Sequence, residues 1–246
     1  MKAIVLAAGY ATRLYPLTLE TPKPLLEVGG IPILRRLLNQ LGEVDELEVV
    51  YVVTNAKFAD AFLAFAEDWD GPFELMVVDD GTTSEEDKLG AIGDLALVIE
   101  QEGIDEDLLV AAGDSIFGEG RLDDFVRRAR ERRAPAIAVY DVGEPEAVRP
   151  YSAITADDEG RIVAFEEKPE APETTLAGIA LYFYPRETLQ LVRRYLGEGN
   201  NADQPGRLVE WMFTRTPFYT WRIPGRWYDI GSPETLEAAN REFSQS

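Results

Sequence analysis

Apolar positions along the chain fall into two alternating rhythms. Ile4–Ala7, Val49–Val53, Phe73–Val78, Leu108–Ala112 and Ala136–Tyr140 are short, nearly continuous apolar runs, the pattern of strands buried on both faces. Between them, Ile33–Leu41, Phe58–Phe65, Gly90–Glu100 and Leu122–Arg132 space their apolar residues as one face of a helix. This alternation predicts an α/β fold with a doubly wound, mostly parallel sheet covered by helices on both sides. After Gly143 the rhythm changes. Ser152–Thr155 and Arg161–Phe165 flank the turn Asp157-Asp158-Glu159-Gly160, which predicts a small antiparallel hairpin embellishment. Ile179–Tyr184 reads as a strand, Pro185–Leu196 as a helix, and Phe218–Ile223 and Trp227–Ile230 as short strands. Ser232-Pro233-Glu234 reads as the cap and first turn of a final helix. No repeat, low-complexity tract or linker interrupts the chain, so one domain over residues 1–246 is expected, with halves 1–142 and 143–246 that do not separate.

Composition narrows the chemistry. The chain has no His and no Cys, which excludes imidazole acid–base work, Ser-His-Asp and Cys-His nucleophiles, disulfides and zinc–cysteine sites. Lys and Arg number 24 against 45 Asp and Glu, a formal net charge of −21. So acidic a chain is not expected to bind nucleic acid, which needs a basic face to displace counterions. The apolar run after Lys2 is too short for a signal peptide, and no run approaches the roughly 18 apolar residues of a membrane span. The cytoplasm, with no membrane contact, is the expected setting.

The most informative stretch runs from Leu6 to Leu26. A strand ends at Ala7-Ala8-Gly9 and is followed by Thr12-Arg13 and Pro22-Lys23-Pro24. In a doubly wound sheet this loop lies at the carboxyl edge, where ligands bind. Ala8 and Gly9 let the backbone come close to a ligand, Arg13 offers a bidentate phosphate clamp, and Lys23 adds a second cation. The glycines of a P-loop or dinucleotide fingerprint are missing. Gly113-Asp114 places a carboxylate after another buried strand, and Trp227-Tyr228-Asp229-Ile230-Gly231 places a second. Alone, each Asp reads as a turn or helix cap, and Glu166-Glu167-Lys168-Pro169 as a solvated loop.

Taken together, these segments resemble the sugar nucleotidyltransferases, especially the glucose-1-phosphate thymidylyltransferase and uridylyltransferase group, over nearly the whole chain. The resemblance implies a Rossmann-like fold with a nucleotide-binding first half and a sugar-phosphate-binding second half. It puts Leu6, Ala8, Gly9, Thr12, Asp80 and Gly90 against the nucleotide, and Arg13 and Lys23 in catalysis. Asp114 and Asp229 become ligands of Mg²⁺. Glu167, Lys168, Ser152, Gly178 and Tyr182 fall to the sugar phosphate. The chain departs from the family at Tyr10-Ala11, where Cβ atoms replace a glycine-rich loop and are expected to alter its shape. Ser152 and Ala180 stand where glycines line the family's sugar pocket, and are expected to crowd the sugar. The base-reading Gln frequent in the family is absent from Asp79-Asp80-Gly81-Thr82. That segment reads equally as a polar contact to a base or an ordinary turn.

The implied reaction joins a nucleoside triphosphate, with dTTP or UTP favoured, to a sugar 1-phosphate, glucose 1-phosphate favoured, and releases pyrophosphate. It needs neither His nor Cys. A non-catalytic regulatory or nucleotide-sugar-binding module is the alternative. An A-type glycosyltransferase is disfavoured, because Gly113-Asp114-Ser115 lacks a second Asp. The resemblance also implies a homo-oligomer, and no appended acyltransferase domain is expected.

Overall fold

The computed structural model describes residues 1–118 and 121–244. In chain order, β1 (Lys2–Leu6) leads through 3-10 turns at Thr12–Leu14 and Lys23–Leu25 to a two-strand ribbon, β2 (Glu27–Val28) and β3 (Ile31–Pro32). Next come α1 (Ile33–Leu41), β4 (Val49–Thr54), α2 (Ala59–Glu67), β5 (Glu74–Asp79), α3 (Ala91–Gln101) and β6 (Leu108–Ala112). They are followed by β7 (Ser115–Phe117), α4 (Leu122–Arg132), β8 (Ala136–Asp141), β9 (Ser152–Ala156), β10 (Ile162–Glu167) and β11 (Leu176–Tyr184). The chain closes with α5 (Leu189–Gly197), α6 (Pro205–Met212), β12 (Tyr219–Arg222), β13 (Trp227–Asp229) and α7 (Pro233–Phe243).

One nine-stranded sheet spans the described residues, its main path running β10-β9-β11-β6-β1-β4-β5. The stretch β6-β1-β4-β5 is parallel, as the alternating rhythm predicts. The second half departs from that pattern. β11 enters antiparallel beside β6, and β8 pairs with β11 rather than extending the parallel run. A register shift between Gly178 and Tyr182 lets the nine-residue β11 serve several partners. The expected hairpin forms as β9 and β10, which pair antiparallel at the sheet edge.

Alternate side chains of the central strands feed opposite layers, as the two-residue period of a strand requires. Ala3, Val5, Val50, Val52, Leu109 and Ala111 face one core, with α1, α2 and α4. Ile4, Tyr51, Val53, Leu108 and Val110 face the other, with α3, α5 and α6. A third, smaller cluster joins Val28, Ile33, Ile116, Ile230 and Ala239, and docks α7 and β13.

Several elements escape the sequence pattern, the short ribbon of β2 and β3 among them. β7 is three residues long, and Pro185–Leu196 divides into a 3-10 turn at Arg186–Thr188 followed by α5. α6 carries a signal in Pro205 at its first turn and in the spacing of Leu208, Val209 and Met212. Eight residues is too short a window for that signal to stand out.

Candidate active site

The carboxyl ends of β1 and β6 open into a cleft of about 380 Å³, lined by Leu6 to Arg13, Lys23, Asp80, Gly90, Asp94 and Asp114 among others. The loop after β1 is tied down from below: Asn55, fully buried, donates from Nδ2 to the Ala8 carbonyl at 2.8 Å. Gly9 faces open space, since an added Cβ would meet nothing within 4 Å. Ala11 keeps a left-handed conformation (φ 48°) despite its Cβ, at a cost of about 1–2 kcal/mol. The Thr18 hydroxyl donates to its carbonyl at 2.8 Å. Ala11 thus holds a left-handed turn of the kind glycine adopts most readily.

Two segments far apart in sequence bring the carboxylates together. Gly113 donates its N–H to the Leu6 carbonyl at 2.9 Å, and a Cβ there would press on Pro24 and Val5. The close approach sets Lys23 beside Asp114, with Nζ 2.7 Å from Oδ2. Lys23 is 12 % exposed and Asp114 34 %. β13 then pairs antiparallel with β7, in a register that puts Asp229 opposite Ser115, the residue after Asp114. Burial pushes the Asp229 carboxyl above its usual range, the Asp114 charge pushes it the same way, and Lys23 and Arg13 pull it back. The Tyr151 hydroxyl donates to Asp229 Oδ2 at 3.4 Å, and burial with the Asp229 charge lifts the phenol to about 12. Tyr151 therefore stays a neutral donor.

The expected sugar-phosphate residues divide. Lys168 is exposed and holds a left-handed backbone (φ 51°), its N–H donating to the Tyr151 carbonyl at 2.8 Å. Glu167 is buried and accepts a short hydrogen bond from the Ser152 hydroxyl. Ser152 thus satisfies the carboxylate as well as occupying a glycine's place. Burial raises the Glu167 carboxyl, and the Ser152 bond and Lys168 oppose the shift. Gly178 lies inside the sheet, where a Cβ would meet Ile154, Ile137 and Ser152. Tyr182 is buried and stacks on Tyr184 at 6.0 Å. None of the five expected sugar-phosphate residues lines the cleft around Lys23 and Asp114; Gly178 lies against Ser152, and the Glu167 charge acts on Tyr182.

Sequence reasoning missed α6, which bridges the two regions. Pro205 lines the cleft, and a Cβ on the next residue, Gly206, would fall 1.9 Å from Glu167 Oε2. It also missed Asp94, Asp203 and Lys88, which stand apart from every motif until the chain folds and then line the cleft.

Residues 2–246 match the family model described as Nucleotidyl transferase. The chain belongs to that family. It is 32 % identical over 252 residues to UTP–glucose-1-phosphate uridylyltransferase AglF of Haloferax volcanii, covering 100 % of this chain and 97 % of that protein. A mannose-1-phosphate guanylyltransferase of Mycobacterium tuberculosis is 30 % identical over 237 residues, covering 94 % of this chain and 61 % of the relative. The chain spans about half the length of the bifunctional protein GlmU of Methanocaldococcus jannaschii, at 26 % identity over 242 residues (98 % of this chain, 54 % of the relative). In fold, it superposes on UDP-glucose pyrophosphorylase complexed with UDP-glucose with a TM-score of 0.81 at 21 % identity, covering 100 % of this chain and 99 % of that one. The uridylyl- and guanylyltransferase relatives are named as sugar-1-phosphate nucleotidyltransferases, and the fold shared with the pyrophosphorylase is Rossmann-like.

Among the described residues, no helix is long and apolar enough to cross a membrane. No cluster of three or more His, Cys, Asp or Glu able to hold a metal occurs there either. Asp114 and Asp229 alone offer two hard oxygen donors, and Mg²⁺ is commonly held by one or two carboxylates with substrate phosphates completing its shell. The donor set fits that ion.

Proposed function

We propose that this chain transfers a nucleotidyl group, with Mg²⁺, from a nucleoside triphosphate to a sugar 1-phosphate, glucose 1-phosphate being the first acceptor to test. A phosphate oxygen of the acceptor forms a bond to the α-phosphorus as the bond from that phosphorus to the bridging oxygen breaks. Pyrophosphate leaves. The attacking oxygen is already ionised, so the chain's work is positioning and charge compensation rather than proton transfer. The observation that carries this reading is the meeting of Arg13, Lys23 and Asp114 at one end of the cleft, with Asp229, on the wall of a second cavity, near enough for all three charges to act on it.

Asp114 and Asp229 would hold Mg²⁺, which when bound supplies charge that screens the two anions from each other. Lys23 and Arg13 compensate the leaving pyrophosphate. Lys168, exposed beside the Tyr151 carbonyl, grips the acceptor phosphate. The buried Glu167, oriented by Ser152, meets the sugar hydroxyls. Tyr151 keeps Asp229 in place through its neutral hydroxyl. The relatives named above carry uridylyl and guanylyl names alike, so the dTTP or UTP preference expected from the motifs is not carried into this proposal. The base is selected at the far end of the cleft, around Asp80 and Asp94. We place this activity in the cytoplasm.

The reading is tested by pyrophosphate release over a matrix of triphosphates and sugar 1-phosphates, with MgCl₂ and with a chelator. Release that needs both substrates and stops in the chelator is expected. Ligand-induced thermal stabilisation with no release from any pair would make the chain a nucleotide-sugar-binding module instead.

A further inference from the structure

The segment leading into α6 lies between the wall of the cleft and Glu167, and a glycine forms the contact at each end. At one end is Gly90, which the motif resemblance assigns to the nucleotide. Its φ is positive (80°), and an added Cβ would lie 2.6 Å from the Ala202 carbonyl oxygen and 2.8 Å from Asp203 Cα. The missing side chain thus serves the close approach of residues 202–203. Beside it, the Ile92 N–H donates to the same Ala202 carbonyl at 2.8 Å. Lys88, also held by Glu85, meets Asp203 Oδ1 at 3.1 Å. At the other end, four residues on, Gly206 lies against Glu167. An added Cβ there would run into Glu167 Oε2 and stand 2.7 Å from Ser152 Oγ.

The stretch between the two glycine contacts has little freedom. Asn201 Oδ1 accepts the Asp203 N–H at 2.8 Å, and the Asn201 carbonyl accepts the Tyr195 hydroxyl at 2.7 Å. Pro205 fixes its own φ in the first turn of α6, and Leu208, Val209 and Met212 anchor that helix in the core. The two contacts are unequal. Gly90 meets backbone, which cannot turn aside, whereas Gly206 meets a carboxylate side chain. A shift at Ala202 is therefore passed along the segment and taken up by the Glu167 carboxylate.

We propose that residues 202–206 are a rigid link through which the loop between β5 and α3 sets the position of Glu167. Gly90, Lys88 and Asp203 are then positioning residues for the acceptor, although they stand on the triphosphate side. This rests on reading Glu167 as a contact to the acceptor. The Lys88–Asp203 pair, with side chains 35 % and 49 % exposed, is the weaker part of the link, and the backbone contact at Gly90 the stronger.

The test is steady-state pyrophosphate release in MgCl₂ with UTP and glucose 1-phosphate, or with whichever pair of the matrix releases most. Gly90→Ala is expected to raise the KM for the acceptor about tenfold, as for loss of a hydrogen bond to a charged group, while the KM for the triphosphate changes less. Lys88→Met and Asp203→Asn are each expected to raise the acceptor KM about threefold. The two together do no more than either alone, because they break one pair. Lys88→Arg, which keeps the pair, is expected to keep the wild-type KM. An acceptor KM unchanged in both Gly90→Ala and Asp203→Asn overturns the proposal and leaves the transfer reading standing. So does a rise confined to the triphosphate. No release from any pair removes the transfer reading, and crystal structures of the substrate-free variants then decide the link alone. Residues 202–206 and the Glu167 carboxylate displaced together uphold it, and a carboxylate left in its wild-type place overturns it. Asp203→Asn, which adds no Cβ at a positive φ, is carried through both measurements and decides the matter where Gly90→Ala does not fold.

Discussion

At the Lys23 end of the cleft, carboxylates face cations; at the Asp94 end, two carboxylates face each other. Asp114 meets Lys23 at 2.7 Å, and Asp229 feels both Lys23 and Arg13. Asp94 has Asp80 for its neighbour, and the lysine at that end is already paired. The same residue type is thus set to two uses inside one cleft. At Asp229, Lys23 and Arg13 oppose the upward push of burial and of the Asp114 charge, and that setting suits phosphates and a divalent ion. At Asp94, burial and the like charge of Asp80 dominate, and the carboxyl is pushed up to about 8. A charge count over the whole chain averages these two environments away, which is why −21 says little about the ligand.

The contrast can be broken first at its charged end. Asp229→Ala or Asp114→Ala is expected to cost about 3–4 kcal/mol of transition-state stabilisation, roughly 10²–10³ in the rate of pyrophosphate release, as for loss of a preorganised electrostatic group. Unchanged rates in both variants would remove the metal assignment.

The neutral end is probed by pH. Asp94 binds its proton more tightly folded than unfolded, so its own contribution to folding stability is fully present below the ordinary carboxylate range. It falls as pH rises and levels off above about 8. The slope inside that window is up to about 1.4 kcal/mol per pH unit. Urea unfolding at several pH values is expected to show Asp94→Asn losing less stability than the wild type over this range. Equal slopes would mean that Asp94 is ionised in the folded chain.

Between the two ends stands α6. Gly206→Ala would drive a Cβ into Glu167, and is expected to raise the KM for the sugar phosphate about tenfold, roughly 1.4 kcal/mol, while leaving triphosphate binding in place. A matching loss for the triphosphate would mean that α6 shapes the whole cleft rather than the acceptor side. Farthest from the comparison lies the capping box of α7, where the Thr235 N–H donates to Ser232 Oγ and the Thr235 hydroxyl accepts from the Ser232 N–H. Ser232→Ala is expected to lower stability by about 1 kcal/mol, read as a shift in thermal midpoint, with base preference unchanged.

Much of this arrangement was legible before folding. The run Val49–Val53 and the spacing of Leu34, Leu37, Leu38 and Leu41 report their elements directly, because burial on two faces or one leaves a period in the chain. Arg13, Lys23, Asp114 and Asp229 stood out because each follows a strand or a proline turn at a sheet edge, and together they resemble a known family. Gly178 and Tyr182 show what spacing leaves out: packing against Ile154 and Tyr184 seats them in the sheet, beside Ser152 and Glu167. α6 was hidden because eight residues leave little periodicity to read.

By itself, then, the sequence determined the strand–helix alternation, the absence of imidazole and thiol chemistry, and the segments able to meet phosphate. These are properties of residue type and local spacing. Tertiary structure alone decided that Asp229 pairs across to Ser115 and so joins Asp114, that Gly206 abuts Glu167, and that Asp94 faces Asp80. Those contacts span from 14 (Asp80 to Asp94) to 114 residues (Ser115 to Asp229), and a side chain's charge state depends on which neighbours and how much water surround it once the chain has folded.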